Sequence, residues 1–386
     1  MQPNAARNIS IEALRLVAVA GISIFHTFQW TFQATCTGVP EYAPLAAFPY
    51  SGILGFINLL GCWANEVFFM ISGYFLIPSA VRGLQSGLSM QDLTSKSLAR
   101  LKKIVFPTLF YCAACLLVSM YIYPLPEISL HKIGWLTLGI EFIWVYAASV
   151  LLVPFIVLAR RQIGSKRAPL VVALLMIATF GINLYIAVTA NETSGIVLWR
   201  KLMSAVTYLV AFIAAGEMRF ALEHCNKASA AQTSKIMLIG LMTAAIALEL
   251  LLSANGQYGV LWMLSYKSTS AISFVLAAAS VAAAALHQPR HDAPGTDKAI
   301  VSLAAGTLGF YAVQSFTCNV WRPIFNNTIY VMVAGVQTGT PDPSGAILLG
   351  IVMSLCLAHA LLIMDIVRRA AVKTIMYACG LTGHPH

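Results

Sequence analysis

Arg15 and His26 stand eleven residues apart in the apolar run Ile11–Gln33. In an α-helix that spacing is three full turns plus about 20°, so both side chains share one stripe, about 16 Å apart along the axis. Glu12 lies one turn before Arg15 on the same stripe and can pair with it. A guanidinium offers forked donors for phosphate or carboxylate. An imidazole titrates near neutral pH and can act as a general base or as a covalent relay. Alone, Arg15 also reads as an interfacial anchor and His26 as an interhelical hydrogen-bonding residue. Their common stripe favours a joint functional reading.

Further ionisable residues interrupt apolar runs at Glu66, Glu141, Glu249 and His359. Charge inside a span is costly and marks a candidate site. Glu66, Glu141 and Glu249 fall toward the same half of the membrane as His26. A carboxylate beside the ring would orient it and stabilise its protonated form. The sequence does not choose which of the three carboxylates does so; Glu66 and Glu141 are carried forward as catalytic candidates. Toward the other side, Arg100-Leu101-Lys102-Lys103 precedes a run that contains Pro107. Such a cluster suits a nucleotide phosphate or anionic headgroups, or serves only as a stop-transfer signal. Ser72 is a nucleophile type without a sequence-adjacent base, which favours packing. Trp144 and Tyr311 are aromatic candidates for stacking on an acceptor. Cys112 and Cys115 form a C-x-x-C on a predicted helix with no second pair at zinc spacing, so they read as packing residues and no metal is expected. Cys36 and Cys62 both fall near the outer face, and only that shared location speaks for a disulfide between them.

These residues need elements to hold them, and composition says which. The chain is 59% hydrophobic and 10% charged, with mean hydropathy +0.78, whereas soluble domains carry about 25% charged residues. Ten apolar stretches recur: Ile11–Gln33, Leu54–Pro78, Ile104–Tyr123, Trp135–Ala159, Ala168–Thr189, Leu198–Phe220, Ile236–Ala254, Ser268–Leu286, Ala299–Val320 and Ala346–Val367. Most approach the ~20 residues a membrane helix needs, and helices are the default where no water can satisfy a backbone. The fold class is therefore all-α: a polytopic bundle of about ten transmembrane helices. Residues 1–386 form one domain with no separate soluble part and no convincing cleaved signal. The longest stretches between spans are Ala34–Ile53, Ser79–Lys103 and Trp321–Gly345, the last read as a loop with turns at Pro323, Pro341 and Pro343.

The basic residues orient the bundle. Of the 24 lysines and arginines, only Lys132, Arg200, Lys201, Lys267 and Arg322 fall at the ends opposite the N-terminus. Arg15 lies within the first span, and all others fall on the N-terminal side. By the positive-inside rule both termini are cytoplasmic, and the net charge of +10 reports topology rather than a nucleic-acid partner. Asn191-Glu192-Thr193 and Asn326-Asn327-Thr328 fit the glycosylation pattern, which matters only in a secretory host.

Five stretches, in chain order, resemble the membrane acyltransferase family 3. Ile11-Glu-Ala-Leu-Arg-Leu-Val-Ala with the Arg15-x10-His26 spacing resembles its first helix. Phe68-Phe-Met-Ile-Ser-Gly-Tyr-Phe-Leu76 resembles its second-helix signature. Arg100-x-x-Lys103 with Pro107 resembles its basic motif. Trp144 to Pro154 is similar to its fourth helix, and Gly309-Phe310-Tyr311 to its late tyrosine-containing helix. Two positions depart from the pattern: Lys103 stands where arginine is frequent, losing the bidentate fork, and Gln314 stands where histidine is frequent and cannot shuttle a proton.

The resemblance implies transfer of an acyl group, acetyl or succinyl, from cytoplasmic acyl-CoA to a hydroxyl of an extracytoplasmic glycan or similar acceptor. Arg15, Arg100 and Lys103 would hold the donor, with no permanently bound cofactor. His26 would catalyse, assisted by Glu66 or Glu141, and Trp144, Tyr311 and Gln314 would meet the acceptor. The expected setting is a bacterial inner or plasma membrane, and the sequence leaves room for a homo-oligomer. A transporter or flippase of a glycan or lipid-linked precursor is the competing class. It fits the composition, but the chain shows no two similar halves with paired broken helices. A non-catalytic scaffold or sensor gives no reason for Arg15 and His26 to share a stripe.

Overall fold

The computed structural model describes residues 8–125, 128–131, 134, 141–189, 199–264, 270–287, 294–337 and 339–378. The regular elements among them are all helical: α1 (Ile9–Cys36), a 3₁₀ turn (Pro40–Tyr42), α2 (Ala43–Ala46), α3 (Tyr50–Gln85), α4 (Met90–Tyr121), α5 (Glu141–Ile163), α6 (Ala168–Thr189), α7 (Trp199–Glu223), α8 (Lys227–Ala254), α9 (Tyr258–Leu264), α10 (Ala271–Leu286), α11 (Pro294–Ala304), α12 (Thr307–Phe316), α13 (Cys318–Val333) and α14 (Pro343–Ala378). Among the described residues eight helices are long and apolar enough to cross a membrane, and α11 with α12, bent by 43°, makes a ninth if counted as one broken span. α10 stands where the eighth apolar run was read but has 16 residues, short of the ~20 that span hydrocarbon unaided. The all-α polytopic bundle is thus the fold. Arg7, Lys132, Lys267, Arg290, the Asn191-Glu192-Thr193 pattern and the starts of the fourth, sixth and eighth runs lie outside the described residues.

Three expectations change. The Ala299–Val320 run is not one helix: it breaks between Ala304 and Thr307. The segment read as a loop from Trp321 begins inside α13, which carries Pro323 within it. Trp321, Ile329 and Val333 are the buried residues of α13, so an amphipathic stripe outweighs the missing proline donor. The Ser79–Lys103 link is mostly helical, because α3 continues past Pro78 and α4 starts at Met90. There the Ser89 hydroxyl accepts from Asp92 N–H while the Asp92 carboxylate accepts from Ser89 N–H, a capping box that starts a helix well before the apolar run.

α1 and α3 form the axis around which the others pack. Small residues let them approach: Gly61 of α3 lies against the Phe25 ring of α1, and Gly73 lies against the Phe212 carbonyl of α7. In lipid such close backbone packing replaces the hydrophobic drive available in water. Large apolar side chains of α6 and α8, such as Leu170, Ile177, Ile236 and Ile239, are exposed, as lipid-facing residues should be.

Basic ends gather at one end of the bundle. Arg82 of α3 and Arg219 of α7 share Glu223 at 2.9 and 2.8 Å. Arg160 of α5 pairs with Glu217 of α7. Asn8, which caps α1 by accepting from Ser10 and Ile11 N–H, also donates to the Ala284 and Ala285 carbonyls at the close of α10. At the far end, Tyr50 meets Ser344 at 3.1 Å and Ser51 meets Ser253 at 2.6 Å. Each of these contacts joins helix ends that the alternating layout gave to one common side.

Candidate active site

Toward the basic end a cavity of about 390 Å³ opens among α1, α3, α4, α5, α11 and α12. Glu12 and Arg15 line it, with Ser72, Tyr146, Phe142 and Tyr311. Arg15 Nη1 donates to both Glu12 oxygens, at 3.1 and 2.9 Å. Nε and Nη2 have no protein acceptor among the described residues, so two donors are left for a ligand. Ser72 and Tyr146 hydroxyls are 2.9 Å apart. Tyr311 stacks on Phe142 with centroids at 4.5 Å and planes at 24°. The cavity thus joins one charged donor to a hydroxyl pair and an aromatic wall, the mixture typical of ligand pockets.

The helix break supplies one wall. Ala304, Ala305, Thr307 and Leu308 all line the cavity. Below the break sits Asp365 of α14, 1% exposed. Its Oδ1 accepts from Tyr111 Oη at 2.7 Å and Arg368 Nε at 2.8 Å, and its Oδ2 from Arg369 Nε at 2.9 Å. Arg369 Nη2 also donates to the Ser302 carbonyl at 2.7 Å, one of the groups a helix end leaves unpaired. The Asp365 carboxylate and the Arg369 it holds therefore tie α4, α11 and α14 together beside Gly306 and Gly309. A Cβ on Gly309 would strike the Asp365 carboxylate and come within 2.8 Å of Tyr111 Oη.

His26 lies beyond this cavity on the same stripe of α1. Tyr311 is three residues before Gln314 on α12, and Gln314 Nε2 donates to Ser23 Oγ at 3.3 Å. Ser23 is three residues before His26, so each step advances about 4.5 Å. His26 is half-buried, beside the Phe25 ring at 5.0 Å, and its Nδ1 is enclosed. Gln314, buried and bonded to α1, also accepts from Trp321 Nε1 through its carbonyl at 3.0 Å. It links α1, α12 and α13 where a proton carrier was in question.

The other sequence candidates fall in several places. Glu66 is fully buried on α3 but lies 200° round from Phe68, a cavity residue, and its neighbour is Ser273 of α10. Glu141, read as buried, is exposed at the start of α5, near enough for its charge to act on the Tyr311 hydroxyl. A carboxylate in the first turn also suits the positive end of that helix. Glu249 is buried against Gly55, and His359, also read as buried, is exposed. Arg100 is half-buried one turn from the cavity residue Ile104 and about 40° round α4 from it, while Lys103 is exposed. Trp144 is half-buried, 200° round α5 from both Phe142 and Tyr146. Cys36 and Cys62 are not bonded to each other, and Cys112 and Cys115 are buried free thiols. Sequence reasoning missed the Ser72–Tyr146 pair, since the partners stand 74 residues apart, and missed Asp365. The latter did carry a signal: an acid followed by arginines at i+3 and i+4 is a helical pairing pattern.

The fold and this cavity define a multi-pass membrane protein with a cavity of mixed polar and aromatic lining among its helices. A family model described as an acyltransferase domain matches residues 8–363. The chain belongs to the membrane acyltransferase family 3, and it is an acyltransferase. Comparison with curated proteins and with solved structures gives no match.

Proposed function

We propose that the protein moves an acyl group, acetyl or succinyl, from acyl-CoA on the cytoplasmic side to a hydroxyl of an extracytoplasmic glycan or similar acceptor. In this reading the basic end faces the cytoplasm of a bacterial inner or plasma membrane, with both termini there. The observation that carries it is that Arg15 lines a cavity toward the basic end while His26 lies farther along the same helical stripe.

The nucleotide of the donor stays near Arg100 and Lys103, and the pantetheine arm enters the cavity past Arg15. At about 390 Å³ the cavity matches an acyl-pantetheine arm rather than a whole coenzyme. His26 takes the proton of the acceptor hydroxyl as the oxygen attacks the thioester carbonyl. The C–S bond breaks, the ester forms, and the proton ends on the coenzyme thiol. A covalent acyl-histidine relay reaches the same products; it alone gives an acyl-enzyme when acceptor is withheld. The test is purified protein in liposomes with labelled acetyl-CoA or succinyl-CoA, and mass spectrometry of surface glycans from cells with and without it. His26→Ala is expected to abolish transfer while inserting normally. Transfer retained by that variant removes the mechanism.

A further inference from the structure

Past His26, at the far end of the bundle, lies a shallow dish of about 500 Å³. Trp30 of α1 stands one turn beyond His26 and about 40° round the helix. The dish is completed by Glu41 and Tyr42 from the 3₁₀ turn and by Asn326, Asn327 and Tyr330 from α13. None of these residues belongs to the cavity of Arg15. We propose that this dish is a carbohydrate subsite that seats one sugar ring of the acceptor, with its hydroxyl directed toward His26. The proposal rests on the acyl-transfer reading above and names the acceptor's place within it.

Three observations support it. Trp30 is 46% exposed, yet its ring is braced edge-on by Tyr42 at 5.2 Å and 82°. Tyr42 in turn lies 6.2 Å from Tyr330. A braced, open indole is a platform for the apolar C–H face of a sugar, at little cost in side-chain freedom. Second, Asn326 Oδ1 is buried and has no hydrogen-bond partner among the described residues. A buried acceptor left unmade is unfavourable, and the Asn326 side chain that carries it lines the dish beside Asn327, so a modest turn of that amide brings donor and acceptor to a sugar hydroxyl. Third, the charge is of one kind: Glu41 lines the dish and no lysine or arginine does. A carboxylate accepts from hydroxyls and repels phosphate, so the dish does not suit the coenzyme end of the donor. An aromatic membrane belt accounts for Trp and Tyr at this level. It does not account for rings turned onto one another around two amides and an acid.

The probe is O-deacylated surface polysaccharide purified from cells that carry the protein. Trp30→Ala and Asn326→Ala are each compared with wild type in two saturation curves, one for polysaccharide and one for acyl-CoA. Loss of one aromatic contact or one hydrogen bond predicts a rise of about tenfold in the polysaccharide KM, larger than any change in the acyl-CoA KM, with Trp30→Phe recovering part of it. Arg15→Ala should give the opposite pattern. A polysaccharide KM unmoved in both variants, or moved no more than the donor KM, overturns the subsite. If wild type transfers nothing from acyl-CoA, the acyl-transfer reading has failed on its own. Direct binding of the same polysaccharide to wild type and Trp30→Ala then decides: binding lost in the variant upholds the dish, and binding equal or absent in both overturns it.

Discussion

The contact of Gly309 with Asp365 allows a test in which two damaging changes do not add. Asp365→Ala removes a buried carboxylate that holds Tyr111, Arg368 and Arg369. Breaking a buried ion pair costs about 3–5 kcal/mol, and the arginine side chains here are 14% and 33% exposed. Water takes up part of that loss, leaving about 2–4 kcal/mol. Gly309→Ala pushes a methyl group into the same carboxylate, an overpacking worth about 1–3 kcal/mol. Independent sites would sum. Because the methyl group's main obstacle is the carboxylate itself, removing it makes room. The double variant should therefore be about as stable as Asp365→Ala alone, with a coupling of about 1–3 kcal/mol. Denaturant unfolding of the four purified proteins in one detergent, followed by tryptophan fluorescence, measures this. Simple additivity would refute the argument that the Asp365 carboxylate is the main obstacle to a side chain at position 309.

Other expectations concern the site and its surroundings. Arg15→Ala should raise the acyl-CoA KM about tenfold or more, from loss of a charge-assisted hydrogen bond; an unchanged KM returns Arg15 to the role of interfacial anchor. Glu66→Gln should leave transfer within a few-fold of wild type, because Glu66 lies round α3 from the cavity and beside Ser273; a loss near that of His26→Ala would show that it reaches the reacting groups. Gly73→Ala should sharply lower the yield of folded protein, since the Phe212 backbone carbonyl occupies the space of the new methyl group and backbone cannot step aside cheaply. Tyr42 is pushed from 10.0 up to about 12 by burial, with Tyr330 and Glu41 beside it. The unfolded chain then ionises first, so stability present below pH about 10 is lost as pH rises toward about 12. Tyr42→Phe should flatten that window in an alkaline unfolding series.

Much of the architecture was legible because bilayer physics writes itself into composition. A run such as Ala168–Thr189 must be helical to satisfy its backbone in hydrocarbon, and α6 has those bounds. Arg15, Glu12 and His26 share a stripe because 3.6 residues per turn is local geometry, and the Arg15–Glu12 pair that the spacing allowed is formed. The break in α11–α12 was hidden, since hydropathy averages over a span and does not register where its axis bends. Helical phase put Glu66 and Trp144 on some face of their helices, but only packing decided which neighbour that face meets.

The sequence by itself determined that this chain is a helical membrane bundle with a cation and a histidine aligned on its first helix, because those are properties of one segment and its solvent. Tertiary structure decided which groups share a cavity. Ser72 meets Tyr146, Asp365 reaches Tyr111, and Trp30 and Asn326 line one dish only after distant helices pack, and such arrangements depend on close approach between segments that no local period encodes.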